Sequence, residues 1–315
     1  MTLISCKDQK SKDTVQETEL IQSVAPITDQ VLESAVIYEA NIRQYSPQGT
    51  FKEFTKDIPK LKKLGVRIIW LMPVFPISEV KRKATADLMI EDIEDPAERE
   101  KVMGSYYAVS DFRKLNPDLG TRDEFRNLVE TAHEYGLFVI LDWVPNHTGW
   151  DHHWITEKPE FYTRNSQGEI SEPLNNDGTP VGWADVADLN YDNRELRETM
   201  ISQMLEWVKE EDIDGFRCDM AGMVPTSFWE EAIPRLREVK PVFMLAEADK
   251  PELSGNGLFE MSYGWEVHHI LNAIAQGEKD VSHFDEYMVK AQKKWKESDI
   301  LMNFVTNHDE NAWAG

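Results

Sequence analysis

The sequence predicts an α/β fold, a barrel of the TIM (β/α)8 type that is incomplete, with about seven strands. Three observations lead there. Strand-like and helix-like segments alternate from about residue 31 to Gly315, which is how βα units build a parallel sheet. Leu137 to Leu141 is apolar at every position, as in a strand covered on both faces. Asp142, Asp219, Glu247 and Asp309 each follow an apolar run, and the C-terminal strand ends are where a barrel gathers its loops.

Taken in order, residues 1–30 are polar and without periodicity, which predicts a disordered tether. Ala35 to Tyr38 is the first strand candidate. Phe51, Phe54, Ile58, Leu61 and Leu64 recur at helical spacing, interrupted by Pro59 and closed by Gly65. Val66 to Met72 reads as a second strand ended by Pro73, and a charged loop without a core face follows over about 78–103. Thr121 and Glu124 have the spacing of a capping box and open a helix that runs to Gly136. After the third strand, Leu137 to Leu141, comes a loop-rich stretch. Leu196, Met200, Met204, Trp207 and Val208 then mark one face of an amphipathic helix. The remaining strand candidates are Ile213 to Phe216, Val242 to Ala246, Leu258 to Met261 and Leu301 to Val305. Five or six of the seven strands are followed by a helix pattern.

Composition narrows the function. A chain of 315 residues is long enough for one large core, either an α/β barrel or two smaller domains, and 41% hydrophobic residues with ten Trp and thirteen Phe describe an ordinary globular protein. A net charge of −23 argues against a nucleic-acid partner, since no basic excess is available to neutralise phosphates; it is neutral on sugars. No apolar run reaches the roughly 18–20 residues of a membrane span. Two cysteines make no disulfide framework, and Cys218 within GFRCDM reads as a buried small side chain. Leu3-Ile4-Ser5-Cys6 resembles a bacterial lipobox followed by a polar tether, although the basic and most of the apolar parts of a signal are absent. That resemblance implies lipidation at Cys6, an anchor in the periplasm or outer membrane if the full signal is restored, and a cytoplasmic location otherwise.

Four strings carry the chemistry: DWVPNH from Asp142 to His147, GFRCDM from Gly215 to Met220, Glu247 within MLAEAD, and FVTNHDEN from Phe304 to Asn311. A lone acidic residue after a strand is weak evidence, whereas four in succession within such strings are specific. Together, over residues of about 35–315, they resemble the α-amylase superfamily, glycoside hydrolase family 13. The resemblance implies Asp219 as nucleophile, Glu247 as general acid/base and Asp309 as transition-state stabiliser. Tyr107, Asp142, His147, Arg217 and His308 match its substrate-binding positions. Ala187 to Asn190 resembles a further motif that closes a small inserted domain, about 148–190. Many members hold a structural calcium ion (Ca2+) beside that domain, and Asn146 and Asp188 match positions that serve it; no cofactor is implied for the chemistry.

Bland alternatives accompany these readings. His147 alone would read as a core histidine, Asp151-His152-His153 as a loop rather than a metal site, and His268-His269 as helix surface. Trp183 stacks on sugar or packs the insert. A retaining mechanism wants its two carboxyls about 5 Å apart, which adjacent strands can supply. Arg217, two residues before Asp219, is expected to lower that carboxyl, and neighbouring carboxylates with partial burial are expected to raise Glu247.

The resulting expectation is a retaining hydrolase of α-1,4-glucosidic bonds in α-glucans or maltooligosaccharides, with a transglycosylase or a non-catalytic binding relative as alternatives. Gly222 and Met223 stand where α-amylases often carry a Lys-His pair, which leaves amylase, cyclomaltodextrinase, α-glucosidase and transglycosylase open. The eighth strand and later segments of the resembled family are not in this sequence, and the reading expects this polypeptide alone to be unstable.

Overall fold

A computed structural model describes residues 27, 29–85, 88–175, 177–254 and 257–311. The Cys6 lipobox and nearly all of the 1–30 tether lie outside the described residues. Seven parallel strands pair in chain order: β1 Val36–Ala40, β2 Val66–Leu71, β3 Phe138–Trp143, β4 Gly215–Cys218, β5 Phe243–Ala246, β6 Met261–Tyr263 and β7 Ile300–Met302. They form a curled sheet, an incomplete TIM-type barrel, in which β1 and β7 are the two edges. A cleft of about 410 Å³ lies between those edges, lined in part by Ile37, Glu39, Ile300, Met302 and Phe304.

The period-2 alternation of a strand sorts side chains into two layers. Ile68 and Trp70 of β2, Phe138 and Ile140 of β3, Phe243 and Leu245 of β5, and Met261 and Tyr263 of β6 form the interior cluster. Their neighbours Ile69, Leu71, Val139, Leu141, Phe216, Met244 and Ala246 face the other way, into a larger core shared with the helices. Continuing the inward alternation past the apolar layer brings Glu39, Asp142, Arg217 and Glu247 to one end of the barrel interior.

The covering helices are α1 Phe51–Thr55, α2 Ile58–Leu64, α3 Arg122–Glu134, α4 Arg194–Glu210, α5 Thr226–Arg237, α6 Trp265–Ala275 and α7 Ser282–Lys294. The first predicted helix is therefore two. Pro59 sits in the first turn of α2, where its missing N–H leaves no hydrogen bond unmade, and Gly65 closes α2 with φ of 94°. The capping box at α3 is formed: Thr121 Oγ1 accepts from Glu124 N–H, and the Glu124 carboxylate accepts from Thr121 N–H.

Differences from the sequence reading have local causes. Among the described residues no helix follows β5; Ser254 and Phe259 form a parallel bridge there instead. The strand expected over Leu258 to Met261 begins at Met261 and ends at Tyr263, because Ser262 is buried with its hydroxyl paired to Ser254 at 2.7 Å, a polar position that an apolar-run criterion rejects. The charged loop contains a two-stranded hairpin, Lys83–Thr85 with Leu88–Met89, and a short helix, Pro96–Arg99. After β3 the chain forms an antiparallel pair, His147–Gly149 with Val186–Asp188, in which His147 lies opposite Asp188. Cys218 is buried and free, and no helix of the described residues is long and apolar enough to cross a membrane.

Candidate active site

Strand register builds the site. Asp142 pairs with Arg217, and Cys218 with Ala246, so β3, β4 and β5 end side by side. Gly215 starts β4 at φ 145°, where a Cβ would collide with the Phe243 carbonyl; only glycine lets β4 approach β5 this closely.

Arg217 is fully buried and serves as the hub. Its Nη1 donates to Asp142 Oδ1 at 2.8 Å and to Asp219 Oδ1 at 2.9 Å. Its Nη2 lies 2.8 Å from Glu247 Oε1, an ion-pair distance without hydrogen-bond alignment. Its Nε donates to Tyr263 Oη at 3.2 Å. One guanidinium thus holds Asp219 and Glu247 together, each with a second tether. The Asp219 N–H donates to the Trp143 carbonyl at 2.8 Å. Met220, forced to φ of 45°, donates its N–H to Glu247 Oε2 at 2.8 Å.

Three carboxylates around one guanidinium leave an excess of buried negative charge, which favours retained protons. Burial, reinforced by the Glu247 carboxylate, pushes the Asp219 carboxyl well above its ordinary range against the pull of Arg217. Burial likewise pushes Asp142 up to about 6, again opposed by Arg217. Arg217 pulls Asp219 down as expected, but the expected net lowering is corrected: desolvation outweighs the single cation.

Asp142 also accepts from Trp70 Nε1 at 3.1 Å and from Tyr107 Oη at 3.0 Å, both on Oδ2. Tyr107 stacks on His308, with centroids 5.3 Å apart and planes at 21°, and its Oη is 2.8 Å from His308 Nε2. His308 Nδ1 reaches Glu39 Oε1 of β1 at 2.5 Å. Asp309 lies beside them, half-exposed, with Oδ2 3.3 Å from His308 Nε2. Its carboxyl is raised, by burial first.

His147 is buried at the edge of this group, and burial lowers it to about 4, so that the ring is neutral. Its ring meets Trp183 edge to face at 5.8 Å. Asn146 Nδ2 lies 3.3 Å from His147 Nδ1, and the Asn146 carbonyl accepts from Leu189 N–H, next to Asp188. Burial pushes Asp188 up to about 6. Among the described residues no Lys, Arg or His lies within ion-pair distance of it. Asn146 and the half-buried Asp188 carboxyl, which has no cation beside it among the described residues, offer two oxygen donors and fit part of a calcium ligand set, which takes six or more oxygens.

One reading of the histidines changes: His268 is fully buried rather than on the helix surface, stacked on Phe304 at 4.3 Å and bonded to its carbonyl at 3.0 Å, while His269 is exposed. Asp151-His152-His153 is a loop as expected, with His152 buried in it among Phe112, His153 and Trp154. Sequence reasoning missed Glu39, Trp70 and Tyr263. The missed signal was positional, since each occupies an inward-facing place at or near the C-terminal end of a strand.

Comparisons with known proteins bear on the family and the fold. The family profile described as alpha amylase, catalytic domain, matches residues 11–175. An alpha-amylase of Haloarcula japonica, MalA, is 27% identical over 294 residues, covering 89% of this chain and 40% of its own length. An alpha-1,4-glucan:maltose-1-phosphate maltosyltransferase of Cereibacter sphaeroides is 31% identical over 208 residues, 64% of this chain and 33% of its own. The crystal structure of an alpha-amylase from Lactobacillus plantarum superposes with a TM-score of 0.77 at 31% identity, over 90% of this chain and 64% of that one. The chain spans about two-fifths of the length of MalA.

Proposed function

The chain belongs to the α-amylase family, and we propose that its site cleaves α-1,4-glucosidic bonds of α-glucans or maltooligosaccharides with retention of configuration. The observation that carries the reading is the binding of Asp219 and Glu247 to one buried guanidinium. That clamp suits the short carboxyl separation, about 5 Å, of a retaining pair.

In the proposed reaction Glu247 gives its proton to the glycosidic oxygen while an Asp219 oxygen attacks the anomeric carbon. The bond to the leaving sugar breaks and a glycosyl ester forms. Glu247, now a carboxylate, takes a proton from water, whose oxygen displaces Asp219 and restores both groups. Asp219 must attack as a carboxylate, so the proposal requires bound sugar to offset the burial that raises this carboxyl. As positive charge grows on the sugar ring, Asp219 and Asp309 oppose it, and Asp142, His147 and His308 are placed to bind its hydroxyls. Tyr107 offers the stacking surface.

A sugar hydroxyl in place of water would make the same site a transglycosylase. The maltosyltransferase similarity supports keeping that second outcome. It depends on the acceptor side of the cleft, where Lys250 Nζ donates to the Gly222 carbonyl at 2.5 Å, each three residues past a carboxylate of the pair. A calcium ion held by Asn146 and Asp188 completes the proposal as a structural brace.

The test is release of reducing sugar from soluble starch and maltoheptaose by the chain and by its Asp219→Asn variant. Activity abolished in the variant supports the nucleophile; equal activity refutes it. Products longer than maltoheptaose would assign transfer rather than hydrolysis.

A further inference from the structure

Glu39 had no role in the sequence reading, yet the geometry gives it one. The edge strands β1 and β7 do not pair with each other. Glu39, facing inward near the end of β1, nevertheless bonds His308 in the loop that follows β7. The side-chain pair thus links β1 to the loop after β7 at the catalytic end of the sheet.

Proton counting then orders a chain of contacts. The Glu39 carboxylate only accepts, so His308 Nδ1 carries a hydrogen. Tyr107 Oη touches both His308 Nε2 and Asp142 Oδ2, and it has one hydrogen to give. With Asp142 ionised, a bare Nε2 makes that hydrogen choose between two acceptors, and one contact is left without a proton. If Nε2 also carries a hydrogen, every contact is made: His308 donates to Glu39 and to Tyr107 Oη, and Tyr107 donates to Asp142.

We propose that Glu39 is a positioning residue that keeps His308 doubly protonated and so fixes the direction of the His308–Tyr107–Asp142 chain in the sugar-binding site. The groups facing His308 are Glu39 from β1, Tyr107 from the loop after β2, Asp142 from β3, Arg217 from β4 and Asp309 from its own loop. Burial and Arg217 oppose a charge on the ring; Glu39 and Asp309 favour it, and the balance raises His308 above its ordinary range. The inference rests on the proposed glycosidase site for its kinetic consequence, but not for the pairing itself.

The test has two independent readouts. NMR titration of the histidine Cε1–H signals, with His308 assigned from the His308→Gln spectrum, follows the ring in the full chain and in Glu39→Gln. The titration midpoint is expected to fall by about 1 pH unit or more when the opposite charge is removed. In kinetics, Glu39→Gln keeps an acceptor for Nδ1–H, so kcat at acidic pH is retained while the alkaline limb moves down with the NMR midpoint. Glu39→Leu, which removes the acceptor, is expected to lose about tenfold in kcat through misplacement of His308 and Tyr107. Glu39→Asp is expected to restore the alkaline limb in part, which a purely structural contact would not do. An unmoved His308 titration in Glu39→Gln overturns the proposal, as does a Glu39→Leu variant with the parent pH profile. If no variant hydrolyses glucan but the midpoint falls as expected, the pairing stands and the glycosidase reading is what fails.

Discussion

Replacing Arg217 by Met tests whether one cation organises the site. The side chain is fully buried and touches Asp142, Asp219 and Glu247. Methionine fills much of its volume but leaves three inward-facing carboxyls without a counter-charge. Removing one partner of a buried ion pair costs about 3–5 kcal/mol, because the remaining charge is uncompensated. At about 2–4 °C per kcal/mol for a domain somewhat smaller than this one, the melting point at neutral pH is expected to drop by about 10 °C. The deficit must depend on pH, with a definite sign. Asp142 and Asp219 already titrate above their unfolded values near 4 in the parent, and loss of Arg217 raises them further. Protonated carboxyls tolerate burial, so the variant's deficit is small near pH 4 and widens as pH rises through the raised folded values. Thermal unfolding of parent and variant at pH 5 and pH 8 measures this. A deficit of equal size at both pH values would refute the electrostatic account, and a variant more stable than the parent would show that the cluster behaves as a replaceable polar core.

Two further outcomes follow from buried groups elsewhere. His147 and His152 are held at about 4 and about 3, chiefly by burial, so protonation opposes folding and stability falls as pH drops below about 6.5 toward those folded values. Each costs about 3 kcal/mol at pH 4, and His152→Gln should flatten its share of the slope between pH 6.5 and 4 in denaturant titrations; an unchanged slope sinks that assignment. If Asn146 and Asp188 belong to a calcium site, calcium at about 100 times its Kd adds about 2.7 kcal/mol of stability. Asp188→Asn should remove that gain, and a parent melting point indifferent to calcium and chelator would end the calcium proposal.

Strands β2 to β5 were legible because buried parallel strands leave contiguous apolar runs, whereas β6 was displaced by its buried Ser262; the site carboxyls stood out because they follow apolar runs in strings of high specificity. What remained hidden depends on pairing between strands. Whether Glu39 meets His308 is set by how the sheet curls until β1 and the loop after β7 face each other, 269 residues apart in sequence, and no local period records that. Trp70 and Tyr263 read as ordinary core aromatics until the register places both beside Arg217, where one donates to Asp142 and the other accepts from the guanidinium.

The charge state of Asp219 shows the same limit from the side of energetics. Sequence spacing brings Arg217 and Asp219 to one strand and suggests a lowered carboxyl. The fold adds two more carboxyls on neighbouring strands to the same guanidinium and removes water from all of them. Once three acids share one base in a dry site, the count of charges outweighs the nearest pair. The proposed catalysis requires Asp219 to attack as a carboxylate, so sugar binding has to offset the burial that raises it.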